Sequence, residues 1–174
     1  MRLVRFSAAV SLDGFIAGPK GESDWIVHDP DVDFSAMMAE FDTFLIGRKT
    51  FELMVKAKRD QPPKGVEYVV FSRTLRAAEF PRVRIESDPG SVVGDLRSRR
   101  GKDLWLFGGG ELLGSFLAAG LVDRIEVSVI AALLGAGIPM VPAKAGPTKL
   151  KLLGHRVYPK TGTLRMEYEV VRTE

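Results

Sequence analysis

Apolar and polar residues alternate along this chain in a way that predicts strands and helices in turn. Short apolar runs that end at glycine, hydroxyl or charged residues predict strands over residues 3–10, 43–46, 66–71, 83–85, 104–107 and 124–131. Helical spacing of apolar residues predicts helices over residues 34–41, 92–99 and 111–119, with caps at Asp33, Ser91 and Gly120. A further helix runs from its cap at Thr50 to about residue 58. Two long alternating segments, 150–158 and 164–171, predict a terminal hairpin that turns near residues 160–162.

The order of these elements predicts an α/β fold with three layers. Strands that alternate with helices form a mainly parallel central sheet, and the C-terminal hairpin adds an antiparallel edge. Phe34, Met37, Met38 and Phe41 are expected to share one apolar face of the first helix. The segment 15–30, which contains glycine and proline, is expected to be a long loop.

The composition excludes several classes of protein and several kinds of functional site. The chain has 174 residues and no linker-like segment, so we expect one domain spanning residues 1–174. It has no cysteine and only two histidines, so neither a disulfide framework nor a metal centre is expected. The net charge of +3 falls short of the basic stripe of nucleic-acid binders, so no nucleic-acid partner is expected. Because the chain has neither an apolar leader nor a run as long as a membrane span, we expect no membrane partner and a cytoplasmic location.

The most informative local feature is a run of three glycines between a buried strand and a helix. Gly108, Gly109 and Gly110 directly follow the strand over residues 104–107. Without Cβ atoms, backbone amides approach a ligand closely, and a helix N-terminus favours an anion such as a phosphate. The alternative is that the glycines only let the strand and the helix pack tightly.

Two other predicted strands end in groups that suit an anion. The first is followed by Gly47, Arg48, Lys49 and Thr50, and the second by Ser72 and Arg73. Arginine binds phosphate through a planar fork of donors. Together, the three strand ends suggest one long polyanionic ligand across the sheet, and a dinucleotide with an extra phosphate fits. For any one strand end, the alternative is exposed cations that merely flank a strand.

The acidic first third of the chain holds the candidates for acid–base chemistry. Asp13 and Asp31 are the predicted catalytic residues, because a carboxylate beside a heteroaromatic substrate can supply or relay a proton. Asp13 can instead be a turn residue that bonds its own backbone. Asp33 is more simply a helix N-cap, and His28 an exposed loop histidine. Trp25 can stack on a ring or cover the edge of the core.

At this point the chain resembles a known superfamily. The segments that carry the resemblance are residues 11–17, 47–52, 107–111, 117–124 and 134–139. In order and spacing they are similar to the dihydrofolate reductase superfamily. The last two are closest to the C-terminal reductase domain of the bifunctional riboflavin-biosynthesis deaminase–reductase. The resemblance covers the chain from Leu3 to Val171.

The resemblance implies a dihydrofolate reductase-like fold and a reductase that uses NADPH. It implies that Gly108, Gly109 and Gly110 carry the cofactor pyrophosphate, together with Glu111, which closes the same motif. Gly47, Arg48, Lys49 and Thr50 would line the phosphates, and Ser72 and Arg73 would read the 2′-phosphate. The end of the first strand, with Ala9, Ser11 and Asp13, would face the nicotinamide, with Ile16 and Ala17 beside the ring.

The resemblance also implies a class of substrate. Because the chain has no cysteine, the zinc deaminase of the bifunctional enzyme is not expected here, and a stand-alone reductase remains. Its substrate would be a pyrimidine or pteridine ring, as in the reduction of 5-amino-6-(5-phosphoribosylamino)uracil. The alternatives are a dihydrofolate reductase, in which Asp31 is the nearest match to the folate acid, a non-catalytic nucleotide-binding module, and a nucleic-acid binder. A homodimer through the terminal hairpin and the apolar run 127–134 is also expected.

Overall fold

The computed structural model describes residues 1–143 and 145–172, and its strands and helices alternate much as the pattern predicts. The strands are β1 (Val4–Ser11), β2 (Phe15–Ala17), β3 (Phe41–Gly47), β4 (Glu67–Phe71), β5 (Arg84–Glu86), β6 (Asp103–Gly108), β7 (Arg124–Ile130), β8 (Ile138–Pro139), β9 (Leu150–Tyr158) and β10 (Thr163–Val170). The helices are α1 (Phe34–Met38), α2 (Arg48–Lys56), α3 (Pro89–Ser98) and α4 (Gly110–Ala118), with a short 3₁₀ turn over Ala77–Glu79.

Eight strands form one central sheet in the order β5-β4-β3-β6-β1-β7-β10-β9. The first six of these are parallel, and the pairs β7–β10 and β10–β9 are antiparallel. Strands β2 and β8 form a separate antiparallel pair. The predicted mainly parallel sheet with an antiparallel C-terminal hairpin is therefore confirmed.

The sheet separates two apolar cores. On one face, α3 and α4 bury residues such as Leu96 and Phe116 against Val4, Phe6 and other sheet residues. On the other face, Phe51 of α2 lies in an aromatic cluster, and Met37 and Met38 of α1 pack against that cluster from its edge. Helices on both faces of the sheet give the predicted three layers.

The first helix is shorter than predicted, because Phe41 belongs to the sheet. Phe41 opens β3, is buried, and stacks on Trp105 of β6 with ring centroids 5.3 Å apart. Burial of this ring against Trp105 outweighs the continuation of the helical pattern past Met38. The predicted helix face therefore holds for Phe34, Met37 and Met38 but is wrong for Phe41.

Two predicted helix caps are also wrong. Helix α2 begins at Arg48 with Gly47 as its N-cap, so Thr50 lies inside the first turn. Helix α3 begins at Pro89, and Asp88 caps it by accepting a hydrogen bond from the Gly90 amide at 3.0 Å. Proline at the first helical position lacks only an amide that would have no helical partner, so the helix starts ahead of Ser91.

Other sequence predictions hold with small shifts at the ends of elements. Gly120 has a left-handed φ of 64° directly after the C-cap of α4, as a helix-ending glycine requires. Asp33 caps α1, since its carboxylate accepts from the Ala36 amide at 2.8 Å. The predicted loop 15–30 is interrupted by β2. None of the described helices is long and apolar enough to cross a membrane.

Candidate functional site

The three strand ends that the sequence singled out lie side by side. Strands β4, β3 and β6 are neighbours and run parallel, so their carboxyl ends share one edge of the sheet. Gly47 pairs with Phe71, the residue before Ser72, and Ile46 pairs with Gly108. This edge is where open α/β sheets bind their ligands.

Two helices start at this edge, and each has a glycine as its N-cap. No side chain caps α2 at Gly47 or α4 at Gly109. The two turns are in close contact, because a Cβ on Gly47 would lie 3.2 Å from the Gly108 carbonyl oxygen. A Cβ on Gly109 would lie 3.3 Å from the Thr50 hydroxyl and 3.9 Å from Ile16 Cδ1. The peptide bond between Gly108 and Gly109 is cis.

This pair of glycine-capped helix starts suits a phosphate group. First-turn amides point away from a helix toward its N-terminal end, and the helix dipole favours negative charge there. Because no side chain caps either helix, the first-turn amides of both have no side-chain cap as a partner. Thr50, Ile16, Gly47 and Gly109 are thus brought together. Their role in holding a cofactor stays a prediction.

The other predicted cofactor residues lie on the rim of the same edge. Arg48 forms an ion pair with Glu52 at 2.6 Å, and Lys49 is exposed. The Ser72 hydroxyl accepts hydrogen bonds from the Thr74 and Leu75 amides at 3.1 and 3.0 Å, which leaves Arg73 exposed on the tip of that turn. Glu111 is exposed in the first turn of α4.

The small β2–β8 sheet covers the start of α4. A Cβ on Gly110 would lie 2.5 Å from the Pro139 carbonyl oxygen and 2.8 Å from that of Met140, so the backbones are in direct contact here. The Met140 amide donates to the Gly14 carbonyl oxygen at 3.0 Å. Gly110 therefore serves close packing, which is the alternative that the sequence left open for the glycine run.

Asp13 holds the loop that leads into β8. Its carboxylate accepts hydrogen bonds from the Ser11 hydroxyl at 2.6 Å, from the Leu134 amide at 3.1 Å and from the Gly135 amide at 2.7 Å. The Ser11 hydroxyl is the main reason that the pKa of Asp13 is lowered, with the two loop amides contributing. These contacts stabilise the ionised form, and the catalytic role of Asp13 stays a prediction.

Asp13→Asn should lower stability near neutral pH and much less in acid. The folded-state pKa of Asp13 lies below its usual value of 3.8. The contribution of Asp13 to the free energy of unfolding is therefore fully present above pH 3.8 and is lost as the pH falls through the lowered pKa. Urea midpoints at a series of pH values measure this. Asp33→Asn is the control, because asparagine caps a helix as well as aspartate does. A difference between wild type and Asp13→Asn that persists undiminished below about pH 3 would contradict the argument.

A pocket of about 140 Å³ lies beside this edge, over the middle of the sheet. Its floor is made by β1, β7, β10 and Trp105 of β6, and its wall by α1 and the loop before it. The lining residues are Ser7, Ala8, Ala9, Ile26, Val27, His28, Asp29, Val32, Phe34, Met37, Trp105, Ser128, Ile130, Thr163 and Arg165. Ala9, which the sequence placed beside the cofactor, therefore lies in the pocket.

The acidic residue in this pocket is Asp29 rather than the predicted Asp31. Asp29 is 5% exposed and accepts hydrogen bonds from the Asp31 amide at 2.9 Å and the Thr161 hydroxyl at 2.8 Å. Desolvation raises the pKa of Asp29, but these hydrogen bonds outweigh it and lower the pKa overall. Asp31 is exposed and pairs with Lys160 at 2.9 Å. Neither Asp31 nor Trp25 lines the pocket.

A cluster of charged side chains lies beside the pocket, on the same face of the sheet. Arg5 donates to Glu126 at 2.5 Å, to Glu40 at 2.5 Å and to Asp103 at 3.3 Å. Arg165 donates to the other oxygen of Glu126 at 3.3 Å. Burial alone lowers the pKa of Arg5, but its hydrogen bonds to Glu126 and Glu40 outweigh this and raise it. Arg5 therefore stays charged although it is buried.

Sequence reasoning missed Glu126, Arg165 and Asp29. Two of the three carry a signal in the printed sequence. Glu126 interrupts the apolar strand Arg124–Ile130, and Arg165 occupies an inward position of the alternating strand Thr163–Val170. A charge at a buried strand position needs a partner, and looking for that partner would have linked these residues. Asp29 carries no such signal, because its burial depends on Thr161, which is far away in the sequence.

Comparisons with known proteins agree with this geometry. Residues 2–164 match the family model described as the RibD C-terminal domain. The protein YyaP of Bacillus subtilis (strain 168), described as uncharacterized, is 33% identical over 96% of this chain and 94% of its own length.

Two solved structures share the fold. A putative riboflavin biosynthesis protein from Shewanella sp. PV-4 has a TM-score of 0.82 at 23% identity and covers 98% of this chain and 99% of its own. Dihydrofolate reductase from Enterococcus faecalis, complexed with NADP(H) and RAB-propyl, has a TM-score of 0.69 at 15% identity, with coverage of 98% and 97%. The chain thus has a dihydrofolate reductase-like fold and belongs to the RibD C-terminal domain family.

Proposed function

We propose that this protein is an NADPH-dependent reductase that transfers a hydride to a substrate that carries a pyrimidine- or pteridine-type ring. The reduction of 5-amino-6-(5-phosphoribosylamino)uracil is the reaction of this class that family membership favours. The observation that carries the proposal is the arrangement at the sheet edge. Two glycine-capped helix starts lie together at the ends of β3 and β6, and the pocket begins at β1, the next strand.

This arrangement supports a cofactor that lies across the strand ends. From β4 to β1 the sheet has three strand intervals, which at about 4.8 Å each give about 14 Å. Ser72 and Arg73 stand at one end of this path and Ala9 at the other. The glycine turns in between suit the pyrophosphate, and exposed Arg73 suits the 2′-phosphate of NADPH. NADPH, when bound, supplies the hydride.

The chain's own residues then position the substrate and keep water out. Ala9 leaves room at the floor for a flat ring, because its side chain is small. Phe34 and Trp105 give the pocket an aromatic side, with ring centroids 6.5 Å apart in an edge-to-face contact. Asp13 keeps the loop over the start of α4 in place. Orientation of the ring against the cofactor is the protein's main contribution to such a reaction.

The alternatives have less support from the same residues. A folate pocket needs an acidic side chain that is free to bind the ring. The predicted Asp31 pairs with Lys160 outside the pocket, and both oxygens of Asp29, which lines the pocket, accept hydrogen bonds from the chain itself. A non-catalytic nucleotide-binding module has no need of a ring-sized pocket that begins where the cofactor path ends. The proposed reductase uses both features.

The proposal makes Arg73 the residue that selects NADPH over NADH. Arg73→Ala is expected to weaken NADPH binding by about 10-fold or more, because one charge-assisted contact to phosphate is lost, and to leave NADH binding unchanged. Tryptophan fluorescence titrations measure both. Arg76→Ala is the control, since Arg76 is 84% exposed and pairs with Glu79. Wild-type protein with no saturable NADPH binding would overturn the proposed function.

The predicted homodimer remains part of the proposal. Its support is on the edge strand β9, where Leu150, Leu152 and Val157 are exposed. In the run 127–134, Val127 and Ile130 are buried in the chain's own core, and Leu133 is exposed and would carry the contact.

A further inference from the structure

Arg165 is the arginine that lines the pocket from the sheet side. It lies on β10 opposite Ser128 of β7, and Ser128 lies opposite Ala9 of β1. Because paired residues point to the same face, these three side chains form a row across the pocket floor. With about 4.8 Å between strands, the row is about 10 Å long. Arg165 therefore stands across the floor from the strand that meets the proposed cofactor path.

A buried carboxylate holds Arg165 in this place. The Glu126 side chain is 1% exposed, and its two oxygens are divided between Arg5 at 2.5 Å and Arg165 at 3.3 Å. Burying a carboxylate costs several kcal/mol, and apolar residues of the same size often stabilise a fold as well or better. Stability alone is therefore a weak reason for Glu126. Its geometry gives a second reason, because one oxygen is anchored by Arg5 while the other orients Arg165.

Arg165 has donors left for a ligand. Its contacts with the described residues, to Glu126 and to Glu167 at 3.2 Å, both use Nη2. Nη1 and Nε have no partner among the described residues, and Arg165 lines the pocket. An arginine in this state recognises an oxygen acceptor that enters the pocket.

The surrounding charges indicate which oxygen that is. In this cluster Glu126, Glu167, Glu40 and Asp103 outnumber Arg5 and Arg165. Asp29 adds a further carboxylate to the pocket lining. An excess of acidic groups disfavours a phosphate dianion at this point, since like charges repel. A neutral carbonyl oxygen on the ring accepts from Arg165 without that repulsion.

We propose that Arg165 donates to a carbonyl oxygen of the substrate ring and that Glu126 is the residue that positions it. The pocket would then select rings of the pyrimidinedione type over the same ring with amino groups in place of the oxygens. This rests on the proposed function, which puts the substrate's ring in this pocket.

The test uses three small probes and one matched pair of variants. The probes are 5,6-diaminouracil, which has the ring oxygens and no phosphate, tetraaminopyrimidine, in which amino groups replace those oxygens, and ribose 5-phosphate, which has no pyrimidine ring. Arg165→Met removes the donors and keeps an apolar stem. Arg156→Met is the control, because Arg156 pairs with Arg165 in the next strand but does not line the pocket. Ligand-observed NMR titrations of the full chain measure each affinity.

Wild type is expected to bind 5,6-diaminouracil more tightly than tetraaminopyrimidine. Arg165→Met should lose about 10-fold or more in affinity for 5,6-diaminouracil and lose this preference, while Arg156→Met keeps both. Glu126→Gln should show a smaller loss, and the double variant should bind like Arg165→Met, because Glu126 acts through Arg165. A double variant clearly weaker than Arg165→Met would overturn the positioning role.

Other outcomes would overturn the recognition role itself. One is that wild type and Arg165→Met bind 5,6-diaminouracil equally well. Another is that wild type does not bind 5,6-diaminouracil. A third is that Arg165→Met loses affinity for ribose 5-phosphate alone, which would make Arg165 a phosphate contact. NADPH titrations of the same variants separate this proposal from the proposed function. Arg165→Met should bind NADPH like wild type, and a wild type that binds 5,6-diaminouracil but not NADPH would refute the proposed function alone.

Discussion

The Gly109→Val variant is expected to bind NADPH at least about 100-fold more weakly than the wild-type chain. Gly109 is the N-cap of α4, with an ordinary φ of −81°, so valine fits its backbone conformation. Its Cβ would already lie 3.3 Å from the Thr50 hydroxyl, and its two methyl groups would fill the space between the starts of α2 and α4. Displacing a pyrophosphate from there removes two or more charge-assisted hydrogen bonds, each of which contributes about 1.5–3 kcal/mol to the binding free energy.

Two comparisons keep this expectation specific to the binding site. Gly94→Val is the matched control, because a Cβ on Gly94 meets no atom within 4 Å and Gly94 lies in α3, away from the strand ends. Gly109→Ala should fall between the wild type and Gly109→Val. Calorimetric titration gives the affinities, and circular dichroism establishes that each variant is folded. NADPH binding by folded Gly109→Val within threefold of wild type would mean that the pyrophosphate does not lie there.

The Arg5→Met variant is expected to lower the free energy of unfolding by about 3 kcal/mol or more. Arg5 is 8% exposed and is hydrogen-bonded to Glu126, which is 1% exposed. Removing one member of a buried ion pair leaves the other without its partner, which costs about 3–5 kcal/mol. Glu126 keeps only its 3.3 Å contact with Arg165, which places the expected loss at the lower end of that range.

Urea unfolding at pH 7 measures this change. Arg76→Met is the control, because Arg76 is 84% exposed and its ion pair with Glu79 should contribute less than about 1 kcal/mol. The urea m-value should stay the same, since the folded state exposes the same surface in both variants. A loss below about 1 kcal/mol for Arg5→Met would show that the buried cluster does not depend on Arg5.

The sequence predicted the part of the site that depends on local signals. The three strand ends at Gly47, Ser72 and Gly108 each have glycine, hydroxyl or cationic residues directly after an apolar run. Because parallel strands place their carboxyl ends on one edge, recognising a mainly parallel sheet was enough to bring these residues together. The strand order β4-β3-β6 then made them neighbours.

The pocket could not be predicted in the same way, because it depends on contacts between distant segments. Asp29 is buried by Thr161 of the hairpin turn, and Arg165 is held by Glu126 across two paired strands. The error at Phe41 has the same origin, since stacking on Trp105 of β6 overrode a helical pattern. Local spacing does not contain this information.

The most direct test of the account follows one hydrogen atom. Wild-type protein would be incubated with 5-amino-6-(5-phosphoribosylamino)uracil and with NADPH that carries deuterium on the transferred face of nicotinamide C4, and the product mass would be measured. The account predicts a product that contains one deuterium from the cofactor, with NADPH oxidised in equal amount. NADPH that stays unoxidised, or a product without the deuterium, would contradict hydride transfer to this substrate.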